Sequence, residues 1–249
     1  MIPDPTARAA STAADSGTAP PAFRFQVQQE FHAVPLPVGD DEDVSATRMR
    51  QFAGDYWGER EDLEPLRKLT TAMYTANAQT LVEGGTVYNA LGVFPIGGSA
   101  DGSELPERIS RATLTVSVRR LDNPDPGFTA AGIAEALDKA GDGGEVQLVS
   151  LPAGPAVVHV AGSRAVWALP EAEDRQERFF VRIEVWVPFP TEDRLLLLCL
   201  STADVEDIYH YQAVLADIAD TVAFGEARAP AAPPETAPPP PPPSPFGSY

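Results

Sequence analysis

The chain has 249 residues, of which 43% are hydrophobic, so it is long enough to bury one large core or two smaller ones. Its 36 acidic residues outnumber 18 Lys and Arg, and the formal net charge of −18 repels both nucleic-acid phosphates and anionic lipid. We therefore expect no nucleic-acid partner and no membrane insertion.

Two further features bear on the cellular location. The longest apolar run, Leu195 to Leu200, is far shorter than the roughly 20 residues that a membrane helix needs, and the first residues lack the basic start and apolar stretch of a signal peptide. Cys199 is the single cysteine, so no disulfide can form within the chain. We expect a soluble, cytoplasmic protein.

Composition divides the chain into three parts, a disordered amino-terminal arm (1–21), a single folded domain (22–225) and a Pro-rich disordered tail (226–249). The arm consists mainly of Ala, Ser, Thr and Pro without an apolar period, so it cannot offset the entropy of ordering. The tail contains six consecutive prolines, Pro238 to Pro243. Such a run either docks as an extended helix into an aromatic groove or serves as a solvated spacer.

The folded part begins with one strand and two helices. Apolar and polar residues alternate from Phe23 to Phe31, which predicts a half-buried strand. Helical spacing then predicts a short helix from Val44 to Trp57. A longer helix starts near Pro65 and ends at Gly84, and its apolar residues Leu66, Leu69, Met73 and Leu81 share one face with Asn77.

The middle of the chain favours strands. Residues 86–94 and 112–118 predict two strands, and a short helix is expected to end at Gly141. Three further strands are expected at 146–151, 156–161 and 164–169, with Gly162 marking a turn between the last two.

The last folded segment determines the architecture. Residues 179–187 alternate in polarity, whereas Leu195 to Leu200 has no polar side and must be covered on both faces. Asp204 is the expected cap of a closing helix whose buried stripe includes Tyr211, Leu215 and Ile218. We predict an α/β (α+β) fold in which an antiparallel sheet is flanked by helices, as a three-layer α/β/α sandwich with disordered termini.

Several motifs carry a resemblance to a known family. The stretches LTVSV, LPAGPAVVHV, VWVPFP, LLLLCLST and DIADTVAF resemble actinobacterial proteins of the PsbP/Mog-like fold, including LpqN-type lipoproteins. The resemblance implies an α/β/α sandwich that binds a partner without catalysing a reaction. Cytoplasmic relatives often lie beside type VII secretion genes, which implies an accessory role in that pathway.

The sequence shows no motif for catalysis, cofactor binding or metal binding. Phosphate loops, nucleophile elbows and paired zinc-binding histidines are absent. One constellation, Cys199 on a central strand with His159 on another, could form a thiolate–imidazole pair, but a free cysteine is usually a small buried apolar residue. We expect no catalytic residues, with an enzyme or small-molecule-binding protein that uses a pocket between sheet and helix as the alternative.

Partner binding is the function that we expect. Aromatic residues and Arg anchor many interfaces, although burial under a helix layer is the commoner reason for large apolar residues such as Phe180 and Trp186. The acidic surface also allows a third hypothesis, neutralisation of a basic partner. Oligomeric state is not indicated by any pattern. The candidate partner-binding residues are Tyr56, Trp57, Phe180, Arg182, Trp186, Phe246 and Tyr249.

Overall fold

The computed structural model describes residues 23–39, 41–58, 60–97, 105–121, 125–141, 143–168 and 175–225. The predicted amino-terminal arm and the Pro-rich tail, with Phe246 and Tyr249, lie outside the described residues.

Four α-helices and nine strands make up the described part of the chain. The helices are α1 (Glu42–Trp57), α2 (Glu64–Glu83), α3 (Pro126–Ala140) and α4 (Ile208–Asp220). The strands are β1 (Phe23–Arg24), β2 (Phe31–Ala33), β3 (Thr86–Ile96), β4 (Arg108–Arg120), β5 (Glu145–Leu151), β6 (Gly154–Ala168), β7 (Arg175–Pro188), β8 (Arg194–Thr202) and β9 (Ala223–Phe224).

Seven strands form one antiparallel sheet in the order β2-β3-β4-β8-β7-β6-β5, and β1 pairs separately with β9. Helix α4 packs on one side of the sheet, against β7 and β8. The α1–α2 pair and α3 cover the other side, where α3 lies on β5 to β7. The predicted antiparallel sheet between helical layers is therefore confirmed.

The two sides of the sheet differ in composition. The side under α4, which we call the α4 face, buries a continuous core that includes Leu114, Val185, Leu198 and Leu215. The other side, the α3 face, is more polar, although it buries Leu197. Alternating residues of each strand supply the two faces, because successive strand side chains point in opposite directions.

The boundaries of α3 follow from local capping. The Asp125 side chain accepts a hydrogen bond of 2.8 Å from the Phe128 amide at the start of α3, and Gly141 ends that helix with a φ of 66°. Asp204, the predicted cap of the closing helix, makes no capping bond. Its carboxylate instead accepts from the Arg111 amide at 2.7 Å, which ties the segment before α4 to β4.

Three predicted strands are wrong in extent. The segment expected as one strand from Phe23 to Phe31 contains only β1 and the first residue of β2, because Phe25 and Val27 between them pack on the core without joining the sheet. The strands expected on either side of Gly162 are one long strand, β6. The Phe179 ring of β7 occupies the space that a side chain at Gly162 would need, so this glycine makes room across the strands rather than a turn.

Candidate functional site

Helix α2 turns three of its large apolar residues toward solvent. Leu66, Leu69 and Met73 are 37%, 55% and 54% exposed, and their spacing places them on one side of the helix. Ala72 and Ala76 are exposed on the same side of the helix, before and after Met73. We call these five residues the α2 stripe. Surface helices normally turn such a stripe to the core, so its outward placement is typical of an interaction surface.

The middle of the α2 stripe is free of charge. From Leu69 to Val82 the sequence contains no Asp, Glu, Lys or Arg, although the chain has a net charge of −18. Charged residues flank this stretch at its ends, with Lys68 before it and Glu83 after it. Exposed apolar side chains without charges among them have the composition of the centre of a protein interface.

The opposite side of α2 is fixed to α1 and the turn after it. The Trp57 indole N–H donates a 2.8 Å hydrogen bond to the Thr70 hydroxyl. The Arg67 guanidinium donates to the backbone carbonyls of Gly58 and Arg60 at 2.5 and 3.0 Å. Because these contacts hold the inner side of α2, the stripe is presented on a well-supported helix.

Tyr56 and Trp57, two predicted partner-binding residues, are half-buried at the end of α1. The Tyr56 ring stacks on Phe52 and meets His32 edge to face, with ring centroids 5.9 and 5.3 Å apart, and burial raises its pKa. The Trp57 indole N–H donates a hydrogen bond to the Thr70 hydroxyl. Both side chains therefore have contacts within the domain, and their role in partner binding stays a prediction.

Phe180, Arg182 and Trp186 share the α3 face of β7, as their spacing predicts. The side chain of Arg182 is 44% exposed and its Nε donates to Glu184 Oε1 at 2.8 Å. Phe180 and Trp186 are half-buried, and the Trp186 indole N–H is buried without a hydrogen-bond partner among the described residues. The helical cover over these residues is partial, and their binding role also stays a prediction.

A row of polar side chains crosses the α3 face. Strand register places Asn89, Thr115, Cys199, Glu184 and His159 side by side on β3, β4, β8, β7 and β6. We call this set the polar row. At its ends, Thr115 donates to the Asn89 side-chain oxygen at 3.3 Å, and His159 Nδ1 donates to Glu184 Oε2 at 3.0 Å.

The polar row separates the two candidate residues for nucleophilic chemistry. Strand β7 lies between Cys199 and His159, which puts their backbones roughly 9–10 Å apart. Glu184 stands between them and accepts the hydrogen bond of the imidazole. Burial, with the nearby charge of Glu184, raises the pKa of the Cys199 thiol to about 11. The thiol is therefore protonated at neutral pH, and the geometry does not supply an activated thiolate.

A cleft lies on the α4 face between helix α4 and strands β5 to β7. Its volume is about 420 Å³, within the range of small-molecule sites. Val158 and Val160 of β6 line it, whereas His159 between them points to the α3 face. The alternative hypothesis named a pocket between sheet and helix, and this cleft has that position but faces away from Cys199 and His159.

The sequence pattern places Leu66, Leu69 and Met73 on one helix face but does not indicate whether that face points to the core or to solvent. A second series at helical spacing, Thr70, Tyr74 and Ala78, lies toward the domain, where Thr70 and Ala78 are buried. The two series lie on different sides of α2, so they cannot both face the domain. The presence of both in the sequence is the signal that could have indicated an outward apolar face.

Within the described residues, no three His, Cys, Asp or Glu side chains are grouped so that they could hold a metal ion. None of the helices described is both long and apolar enough to cross a membrane. No protein-family model, curated protein or solved structure matches the chain.

Proposed function

We propose that the protein is a non-enzymatic binding protein that docks the apolar face of a partner protein's helix on the α2 stripe. The observation that supports this is the exposure of Leu66, Leu69 and Met73 on a helix whose opposite side is hydrogen-bonded to α1 and to the turn after it. Small side chains at Ala72 and Ala76 let a second helix approach closely, so that its larger residues can pack between those of the stripe.

The two ends of α2 give the docked helix a preferred direction. Lys68 lies at the amino-terminal end of the uncharged stretch and Glu83 at its carboxy-terminal end. A partner helix with an acidic residue near Lys68 and a basic residue near Glu83 would place opposite charges together at both ends. The reverse orientation would place like charges together. Lys68 already pairs with Glu64 at 3.4 Å, so these exposed charges bias the orientation only weakly, and the apolar centre supplies most of the affinity.

The proposal is tested by placing a charge in the centre of the stripe. Leu69→Lys should weaken binding of the partner at least about 30-fold, the effect of losing an interface hot spot of about 2 kcal/mol. The partner is first identified by affinity purification of the tagged full chain from its native host, and the purified pair is then titrated by calorimetry.

Leu148→Lys is the matched control. Leu148 is 58% exposed on β5, at the far edge of the sheet, so the substitution adds the same charge at an equally exposed leucine. Its affinity should equal that of the wild type. Equal losses in both variants, or no partner enriched by the wild-type chain, would contradict the proposal. So would recovery of a second copy of this chain as the sole partner.

Other parts of the hypothesis are carried by the sequence. Purification with and without residues 226–249 separates a contribution of the Pro-rich tail from that of the stripe. A cytoplasmic location, membership of the PsbP/Mog-like proteins and an accessory role in type VII secretion belong to the same proposal. They rest on the sequence motifs quoted above.

A further inference from the structure

The cleft on the α4 face has two different walls. Strand β5 forms one wall, helix α4 forms the other, and residues of β6 and β7 form the floor. The floor is apolar, with Val158, Val160, Ile183 and Val185. Helix α4 lies nearer to β7 and β8 than to β5, which leaves this part of the sheet partly uncovered.

Strand β5 and helix α4 run in the same direction. Tyr211, near the start of α4, hydrogen-bonds Ser110, near the start of β4. Phe224, beyond the end of α4, packs on Phe189, which follows the end of β7. Because β4, β7 and β5 all point the same way in this antiparallel sheet, the two walls of the cleft can be compared from beginning to end.

Both walls change from polar to apolar in that direction. On β5, Glu145 and Gln147 come before Val149 and Leu151 in the cleft lining, and on α4, Tyr209 and Gln212 come before Leu215, Ala216 and Ala219. The cleft thus has a polar end and a hydrocarbon end. A cavity with this gradient is complementary to a molecule that is itself polar at one end and apolar along its body.

The charge at the polar end selects the head group. Among the described residues that line the cleft, Glu145 is the one with a charge, and its Oε1 accepts a 2.5 Å hydrogen bond from the Gln147 side chain. A ligand carboxylate or phosphate would meet this carboxylate in a protein with a net charge of −18. An ammonium group would instead donate to it in a charge-assisted hydrogen bond.

We propose that this cleft binds a small cationic amphiphile, with an unbranched hydrocarbon body and a primary ammonium head group. The ammonium group binds Glu145 and the amide oxygens of Gln147 and Gln212, and the hydrocarbon body lies between Val149 and Ala216. This site is independent of the α2 stripe, because the cleft and the stripe use different elements and opposite sides of the sheet.

Calorimetric titration of the full chain with decylamine and with decanoate tests the head-group assignment. The two probes have the same chain length and opposite charge, and each is used below the concentration at which it forms micelles. Decylamine should bind at one site in a saturable manner, and decanoate should bind at least about tenfold more weakly. Equal binding of the two probes, or no saturable binding of decylamine, would overturn the proposal.

Two pairs of variants locate the site. Ala216→Trp fills the hydrocarbon end and should abolish binding, whereas Ala213→Trp, on the same helix outside the lining, should leave it unchanged. Glu145→Gln should weaken decylamine about tenfold, and Asp217→Asn, an exposed carboxylate of α4 outside the lining, should have no effect. Thermal unfolding verifies that each variant is folded. Equal effects within either pair would show attraction to the acidic surface and would refute the assignment.

Discussion

A buried hydrogen bond between Ser110 and Tyr211 joins helix α4 to the sheet, and its removal has a calculable cost. Both residues are 0% exposed, and the two hydroxyl oxygens are 2.5 Å apart. The Ser110 hydroxyl also donates to Asp204 Oδ2 over a longer 3.4 Å. The two single variants Tyr211→Phe and Ser110→Ala each remove one partner, and the double variant removes both.

The expected loss in the free energy of unfolding depends on which buried polar atom loses its hydrogen-bond partner. A buried hydroxyl that loses its partner costs about 1–3 kcal/mol. Tyr211→Phe should cost about 1 kcal/mol, at the low end, because Ser110 can still donate to Asp204. Ser110→Ala should cost about 2 kcal/mol, because the buried phenol hydroxyl loses its closest partner and keeps only the Thr202 hydroxyl, which already donates to the Arg111 carbonyl. The double variant leaves neither hydroxyl, so it should cost about 1 kcal/mol less than the sum of the single variants.

Urea unfolding at pH 7, followed by circular dichroism, measures these three free energies against the wild type. The dependence of the free energy on urea should be the same for all four proteins, which would show that the unfolding transition itself is unchanged. Costs that add to within about 0.3 kcal/mol would refute the reasoning, since independent sites behave in that way.

Three further outcomes are expected. Gly85→Ala should lower the free energy of unfolding, measured by thermal unfolding, by at least about 1 kcal/mol more than Gly141→Ala. Both glycines have positive φ, but only at Gly85 would the added Cβ collide with a backbone carbonyl of β4. Cys199 should react with iodoacetamide at pH 8 about 100-fold more slowly than a free thiol, and its rate should keep rising up to about pH 11, because its pKa is about 11. A hydrogen bond from Arg108 holds the pKa of Asp207 below its ordinary value. The stability that this carboxylate contributes is therefore present above its unfolded pKa of about 4 and is lost as the pH falls through the lower folded pKa. The free energies of urea unfolding of the wild type and Asp207→Asn should therefore differ at pH 7 and converge in acid.

Strands that alternate strictly could be predicted from the sequence. In β4, Leu114 and Val116 are buried while Thr113 and Thr115 are partly exposed. In α4, the predicted stripe is buried in the same way, as the full burial of Tyr211 illustrates. These elements were predictable because each has one apolar side, and the period of that side identifies both the structure and its orientation.

Features that depend on a neighbouring element were not predictable. Gly162 reads as a turn, yet it lies inside β6 because the Phe179 ring of β7 needs its space. The outward direction of Leu69 is set by α1, whose Phe52 ring meets the Tyr74 ring of α2 at 6.2 Å and so holds the other side of α2 against α1. The sequence pattern of a segment indicates whether it is a helix or a strand. Which neighbouring element each of its sides contacts is determined by long-range packing.

One strand register fixes both the cleft and the polar row. In β6, Val158 and Val160 line the cleft on the α4 face, while His159 between them joins the polar row on the α3 face. Because side chains alternate with a period of two, a slip of one residue would move the imidazole into the cleft and the valines out of it. Cys199 lies on the same side of the sheet as His159. A ligand in the cleft is thus separated from the thiol by the sheet itself, and alkylation of Cys199 in unfolded protein, followed by refolding, should leave decylamine binding unchanged.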